Sequence, residues 1–248
     1  MEKDIFGIQL YSIRNEIKER GFDEMLKVVK EAGYNTVEFA GFYGYTPQQV
    51  KDLLDKHGLT GLSAHIRLDQ IEENLEYIDL LGIKTVYIPW CGLEDLKNRL
   101  PELIEEIKRV KKILDGRGVT FGYHNHAQEY TDGADYVYDL ITAVDGFTSE
   151  LDIFWAKAGG YEPTFLMKKY GKGLSALHIK EMDVRADEKN PREFPNAIVG
   201  EGKSGCEEAI KLAKKMGVHT FILEVEGFPC DVSEYLRKSC ENMKKFAQ

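Results

Sequence analysis

Cysteine and proline are scarce in this 248-residue chain, which has four of the first and seven of the second. Cys91, Cys206, Cys230 and Cys240 show neither CxxC spacing nor the density of a small secreted scaffold. That excludes a disulfide framework and a zinc ribbon, and a reducing, cytoplasmic compartment is expected. Basic charge is short as well: 33 Lys and Arg against 42 Asp and Glu leave a formal net charge of −9. Such a surface does not wrap a phosphate backbone, so no nucleic-acid partner is expected. No run approaches the ~20 apolar residues that span a bilayer. The opening segment, MEKDIFGIQLYSIRNE, lacks the basic head and long apolar middle of a secretory signal, so no membrane partner is expected either. What remains, at 43% hydrophobic and 30% charged residues, is an ordinary globular composition. A chain of this length buries roughly 70–75% of the surface its unfolded form exposes, so it needs no metal merely to fold. Any metal would be there for chemistry.

Short β-rich runs alternate with longer segments whose apolar residues recur at three and four. Eight such runs are IFGIQLYS, NTVEFAG, TGLSAHI, KTVYIPW, VTFGYHNH, FTSELDIFW, LSALHIKEMD and HTFILEVEG. Helical segments between them end at Gly33, Gly58, Gly82, Gly118 and Gly217, each followed within a few residues by the next run. Glycine suits the left-handed position just past a helix because it has no Cβ. Strand plus crossover helix is the βαβ unit, whose strands lie parallel. Eight units in this length predict a closed (β/α)8 TIM barrel, an α/β fold, rather than an open doubly wound sheet. The turn after the first strand, Tyr11–Asn15, also lacks the GxGxxG of a dinucleotide fold. No Pro/Ser-rich linker divides residues 1–248, so one domain is expected. The charged stretch Val184–Ser204 holds two prolines and reads as a lid or binding loop after the seventh strand.

In such a barrel the reacting groups come from the C-terminal ends of the strands. Those ends carry Gln9, Glu38, His65, Trp90, His124 with His126, Asp152 with Trp155, His178 with Lys180, and Glu224 with Glu226. Four consecutive apolar strands therefore hold an acid or imidazole in their second half, in FGYHNH, SELDIFW, SALHIKE and FILEVE. Taken singly, each is a polar residue with a hydrogen-bond partner at a strand end. Charged groups in strands packed on both sides are rarely buried unless paired or bound to metal. Together, two imidazoles and two carboxylates are a competent set for one divalent ion with an open position for substrate. Such mixed ligands suit Mn, Zn, Co or Fe, and Mg less well.

Five motifs fall in order along the chain: Gly122–His126 (GYHNH), Glu150–Trp155 (ELDIFW), Leu177–Asp183 (LHIKEMD), Val199–Gly202 (VGEG) and Phe221–Glu224 (FILE). In these the sequence resembles the xylose isomerase-like TIM barrels, and within them the sugar phosphate isomerase/epimerase branch, over essentially its whole length. The resemblance implies a divalent metal held by His124, Asp152, His178 and Glu224. It also shows a departure. The best-known epimerases place a glutamate that doubles as a base where this chain has His124, so a symmetric pair of glutamate bases is not expected. Either His124 or His126 is the strand-five ligand, with the other a neighbour or substrate contact.

The chemistry expected of such a site begins with a metal chelating a carbonyl oxygen and an adjacent hydroxyl of a sugar, which acidifies the hydrogen between them. Glu224 is the expected base, with Glu38 and Lys180 as candidates for the partner acid or oxyanion stabiliser. Ion pairing is the plainer reading of both, Lys180 with its neighbours Glu181 or Asp183. His65, His126, Trp155 and Trp90 are the expected substrate contacts. The resulting enediolate leads to epimerisation or isomerisation, or, by loss of a β-oxygen, to dehydration of the inosose or keto-glycoside type. A barrel that binds sugar or metal without turnover is the reading from another class. GEGKSG, with Arg185, Arg192 and Lys203 nearby, is a weak phosphate candidate. The superfamily's DNA-repair endonucleases are disfavoured by the net charge, and a homo-oligomer is compatible with the sequence.

Overall fold

The computed structural model describes residues 3–248, in which eight parallel strands close into a barrel in chain order. They are β1 (Ile5–Gln9), β2 (Thr36–Ala40), β3 (Thr60–His65), β4 (Thr85–Ile88), β5 (Thr120–His124), β6 (Thr148–Asp152), β7 (Leu174–Ile179) and β8 (Thr220–Leu223). β1 closes the barrel by pairing with both β2 and β8. All eight expected strands are present.

Helices surround the barrel and bury one face each. Helix Cys206–Met216 buries Cys206, Ala209, Ile210 and Ala213, a three-and-four spacing that sets one stripe against the strands. Gly58 and Gly217 end their helices at φ +61 and +84, the left-handed backbone that lets the chain turn directly into β3 and β8. No helix among the described residues is long and apolar enough to cross a membrane.

Several apolar runs stop being strands earlier than their composition suggests. β6 ends at Asp152, and Ile153–Ala158 is helical. The reason is local: Asp152 Oδ1 accepts the Trp155 N–H at 2.8 Å and caps that helix. β5 ends at His124, so His126 lies beyond the strand and is not aimed by strand alternation. β7 and β8 likewise stop at Ile179 and Leu223, which puts Lys180, Glu224 and Glu226 on the rim just past them.

The stretch Val184–Ser204 crosses this rim as a strap and is firmly anchored. The buried Glu181 carboxylate accepts N–H bonds from Gly200 at 2.9 Å and Ser204 at 2.7 Å. Asn196 donates to Glu181 O and accepts from the Glu226 N–H, both at 2.9 Å.

Candidate active site and metal-binding cluster

Parallel register fixes which rim residues become neighbours. His124 pairs with Glu150 between β5 and β6, and Asp152 with His178 between β6 and β7. Together with Glu224, just past β8, the result is one cluster: His124, Asp152, His178 and Glu224 each offer a ligand atom, and these atoms lie within 4.8 Å of one another. All four side chains are buried. His178 Nδ1 is 2.5 Å from Glu224 Oε2, and His124 Nε2 is 3.9 Å from the same oxygen.

Ionisable groups crowd this region. Glu38, Glu150, Asp152 and Glu224 are all buried carboxylates, and Lys180 is the buried ammonium beside them. Burial pushes the Asp152 carboxyl up to about 7. Burial works against a charged His178, but Glu150, Glu38 and Glu224 outweigh it and hold that imidazole well above its ordinary range. Burial and the charge of His178 push His124 far down, so it is a neutral imidazole with a lone pair to give. Burial opposes a charged Glu224 too, yet Lys180 and His178 keep it well below the usual carboxylate range.

The residues fit a divalent cation on their own chemistry. Asp152 Oδ2 and His124 Nδ1 are buried with no hydrogen-bond partner among the described residues. Such orphans call for a partner, since a buried polar group left alone is costly. The mixed nitrogen and oxygen donor set suits a transition ion.

The other sequence-predicted residues divide. His65, His126 and Trp90 line a cavity of about 820 Å³, as do Glu224, Gln9 and Arg192. Trp155 does not line it: the ring lies between Lys180 Nζ at 4.7 Å and the Arg192 guanidinium at 4.6 Å. Lys180 pairs with Glu224 at 3.1 Å and Glu226 at 2.9 Å, across the barrel rather than with Glu181 or Asp183 beside it in sequence. Glu38 is fully buried, accepting from Gln9 Nε2 at 2.8 Å and Ser63 Oγ at 2.5 Å, and does not line the cavity.

Two residues were not singled out by the strand-end scan. Glu150 lies within 3.0 Å of both His65 and His178, and strand alternation puts it on the same face as Asp152, a signal the sequence did contain. Glu129 accepts the His126 N–H at 2.8 Å and the Tyr123 hydroxyl at 2.8 Å, which fixes the turn after β5. As for phosphate, the amides of Gly200 and Ser204 already bond Glu181, while Arg185 and Arg192 are paired with Asp183 and Glu226.

The family model for the xylose isomerase-like TIM barrel matches residues 26–246. The chain belongs to that family. Among structures similar to this xylose isomerase-like barrel is a sugar phosphate isomerase/epimerase from Parabacteroides distasonis, 21% identical, with a TM-score of 0.79 over 100% of this chain and 96% of that one. A probable 3-DHS dehydratase from Bacillus anthracis has a TM-score of 0.71 at 13% identity, over 97% and 98% of the two chains. At these identities the likeness shows the fold. An inosose dehydratase from Geobacillus kaustophilus is 25% identical over 195 residues, 66% of this chain. The chain spans 63% of that relative's length.

Proposed function

We propose that this xylose isomerase-like barrel is a divalent-metal-dependent isomerase or epimerase acting on a carbohydrate next to its carbonyl. The observation that carries the reading is the meeting of His124, Asp152, His178 and Glu224 in one buried cluster, of which His124 and Glu224 line the cavity. When bound by these four, a Mn, Zn, Co or Fe ion would polarise the substrate carbonyl and acidify the adjacent C–H.

The chain's own groups supply the proton traffic. Glu224 is the base: Lys180 Nζ donates to its Oε1 at 3.1 Å and keeps the carboxylate ionised, ready to accept a proton. The same ammonium is the cation that steadies negative charge as the proton moves. His126, which burial pushes down to about 4, faces the cavity as a neutral imidazole able to donate to or accept from a sugar hydroxyl. His65 faces it from the end of β3, and Trp90 offers a ring face to the sugar.

Dehydration is the second reading, favoured by two observations. Strand five brings an imidazole, His124, instead of a second carboxylate base, and elimination needs one base only. The similarity to an inosose dehydratase points the same way. The test is incubation of the metal-loaded protein with a panel of ketoses and inososes in D2O. Deuterium entering at the carbon next to the carbonyl supports isomerisation or epimerisation. A conjugated enone absorbing in the ultraviolet supports dehydration, and ligand-dependent stabilisation with neither outcome leaves only a binding barrel.

A further inference from the structure

Below the four proposed ligands lies a layer that the chemistry above leaves unexplained. Glu38 and Glu150 are fully buried inside the barrel, where an isolated carboxylate is costly, and neither lines the cavity. Each sits where a strand ladder slips: between Val37 and Glu38 in the β2–β3 pair, and between Ser149 and Glu150 in the β6–β7 pair. Irregularities of this kind re-aim a side chain and gather beside active sites.

The ring of His178 bridges the two layers, and that of His124 lies farther from both. His178 sets Nδ1 2.5 Å from Glu224 Oε2 and Nε2 2.7 Å from Glu38 Oε1 and 3.0 Å from Glu150 Oε2. His124 sets Nε2 3.9 Å from Glu224 Oε2 and Nδ1 3.6 Å from Glu150 Oε2. Glu150 Oε1 and His124 Nδ1 are both buried without a hydrogen-bond partner among the described residues.

Resting on the metal-dependent reading, we propose that Glu38 and Glu150 are positioning residues for the metal. They hold the imidazole proton on His178 Nε2, so that His178 Nδ1 presents its lone pair to the cation. A neutral imidazole has one donor and one acceptor nitrogen, and the hydrogen bond made by one decides which is free to ligate. A carboxylate acceptor also makes the opposite nitrogen more basic. His65 Nε2 bridges the two carboxylates, 2.7 Å from Glu150 and 3.1 Å from Glu38, and offsets their repulsion. This accounts for Glu150 in a chain with an imidazole at position 124: it returns negative charge to that side of the ion, one layer deeper.

The same atoms admit a rival, because His65, His124, Glu150 and His178 also bring ligand atoms within 4.8 Å of one another and would suit a second cation. The experiment is titration of metal-stripped wild type, Glu38→Gln and Glu150→Gln with Zn2+, using elemental analysis for stoichiometry and chelator competition for affinity. One ion per chain in all three is expected, bound about 10–100-fold more weakly in each variant. Nitrogen-15 NMR of the zinc-loaded wild type, which does not depend on a variant folding, should show the His178 ring proton on Nε2. Two ions per chain falling to one in Glu150→Gln, a ring proton on His178 Nδ1 instead of Nε2, or unchanged affinity in both variants overturns the proposal. In the last case the metal-dependent reading still stands, whereas a wild type that takes up no ion overturns both.

Discussion

Lys180 Nζ, wholly buried, lies 3.1 Å from Oε1 of Glu224, with Glu226 at 2.9 Å on its other side. One ammonium thus serves two acids, of which the inner belongs to the proposed metal cluster and the outer is tied to the strap through Arg192. Lys180→Met should leave Glu224 without its counter-charge. Removing one partner of a buried pair costs about 3–5 kcal/mol, visible as a lower urea midpoint. Turnover should fall by about 10²–10⁴-fold, with the acid limb of the pH–rate profile moved upward because Glu224 becomes easier to protonate. A variant with unchanged turnover and an unmoved acid limb removes Lys180 from the mechanism.

The two oxygens of Asp152 differ: Oδ1 caps helix Ile153–Ala158, and Oδ2 is buried without a hydrogen-bond partner among the described residues and is left for the proposed cation. Asparagine keeps a capping oxygen and loses the charge; alanine loses both. Asp152→Asn should therefore abolish stoichiometric metal while keeping the cap, and Asp152→Ala should be less stable than Asp152→Asn by about 1 kcal/mol. Elemental analysis and urea unfolding of the metal-free variants separate the two effects.

Much of this was legible in the sequence, and the exceptions have physical causes. The eight strands and their closing glycines follow from local rules of periodicity and left-handed backbone, and the four proposed ligands stand out because each is an acid or imidazole in an otherwise apolar run. Trp155 was read as part of a strand because IFW is β-rich, but a single capping oxygen from Asp152 outweighs that propensity. The partners of Lys180 were sought beside it in sequence. In the barrel its neighbours come from β8, while Glu181 turns away to hold the strap. Glu38 was legible as a rim acid but not as a buried one, since register and depth depend on closure of the whole sheet.

Metal removal should make stability depend on pH in a definite direction. In the metal-free protein His65 is pulled up to about 9, burial opposing and Glu38 and Glu150 prevailing, against about 6.5 when unfolded. A raised histidine contributes stability that is fully present below pH ~6.5 and is lost as pH rises through about 9. His178, also raised, acts with the same sign, and Asp152, pushed up to about 7, adds to the loss below neutrality. His124 and His126 are lowered and exert their opposite effect below pH ~6.5. Denaturation midpoints of chelator-treated protein should therefore fall from pH 6.5 to 9, and saturating Zn2+ should flatten the slope. An unchanged or rising midpoint across that window contradicts the assignment.

Loss of the Glu181 carboxylate should loosen the strap without touching the metal. Its two oxygens take the amides of Gly200 and Ser204, and Gly202 packs so tightly between Met182 and Glu181 that no side chain fits there. Glu181→Ala leaves the buried Ser204 amide unsatisfied, at about 1–3 kcal/mol, whereas water can replace the carboxylate at the exposed Gly200. Arg192→Ala, by contrast, removes an ion pair whose arginine is exposed, so its effect on global stability should stay within about 1 kcal/mol. Because Arg192 and Phe194 line the cavity, both variants should raise KM. Only Glu181→Ala should speed tryptic cleavage at Lys189 while zinc stoichiometry holds. Cleavage at the wild-type rate would mean that the strap is held chiefly by Asn196 and its bonds to Glu181 O and the Glu226 N–H.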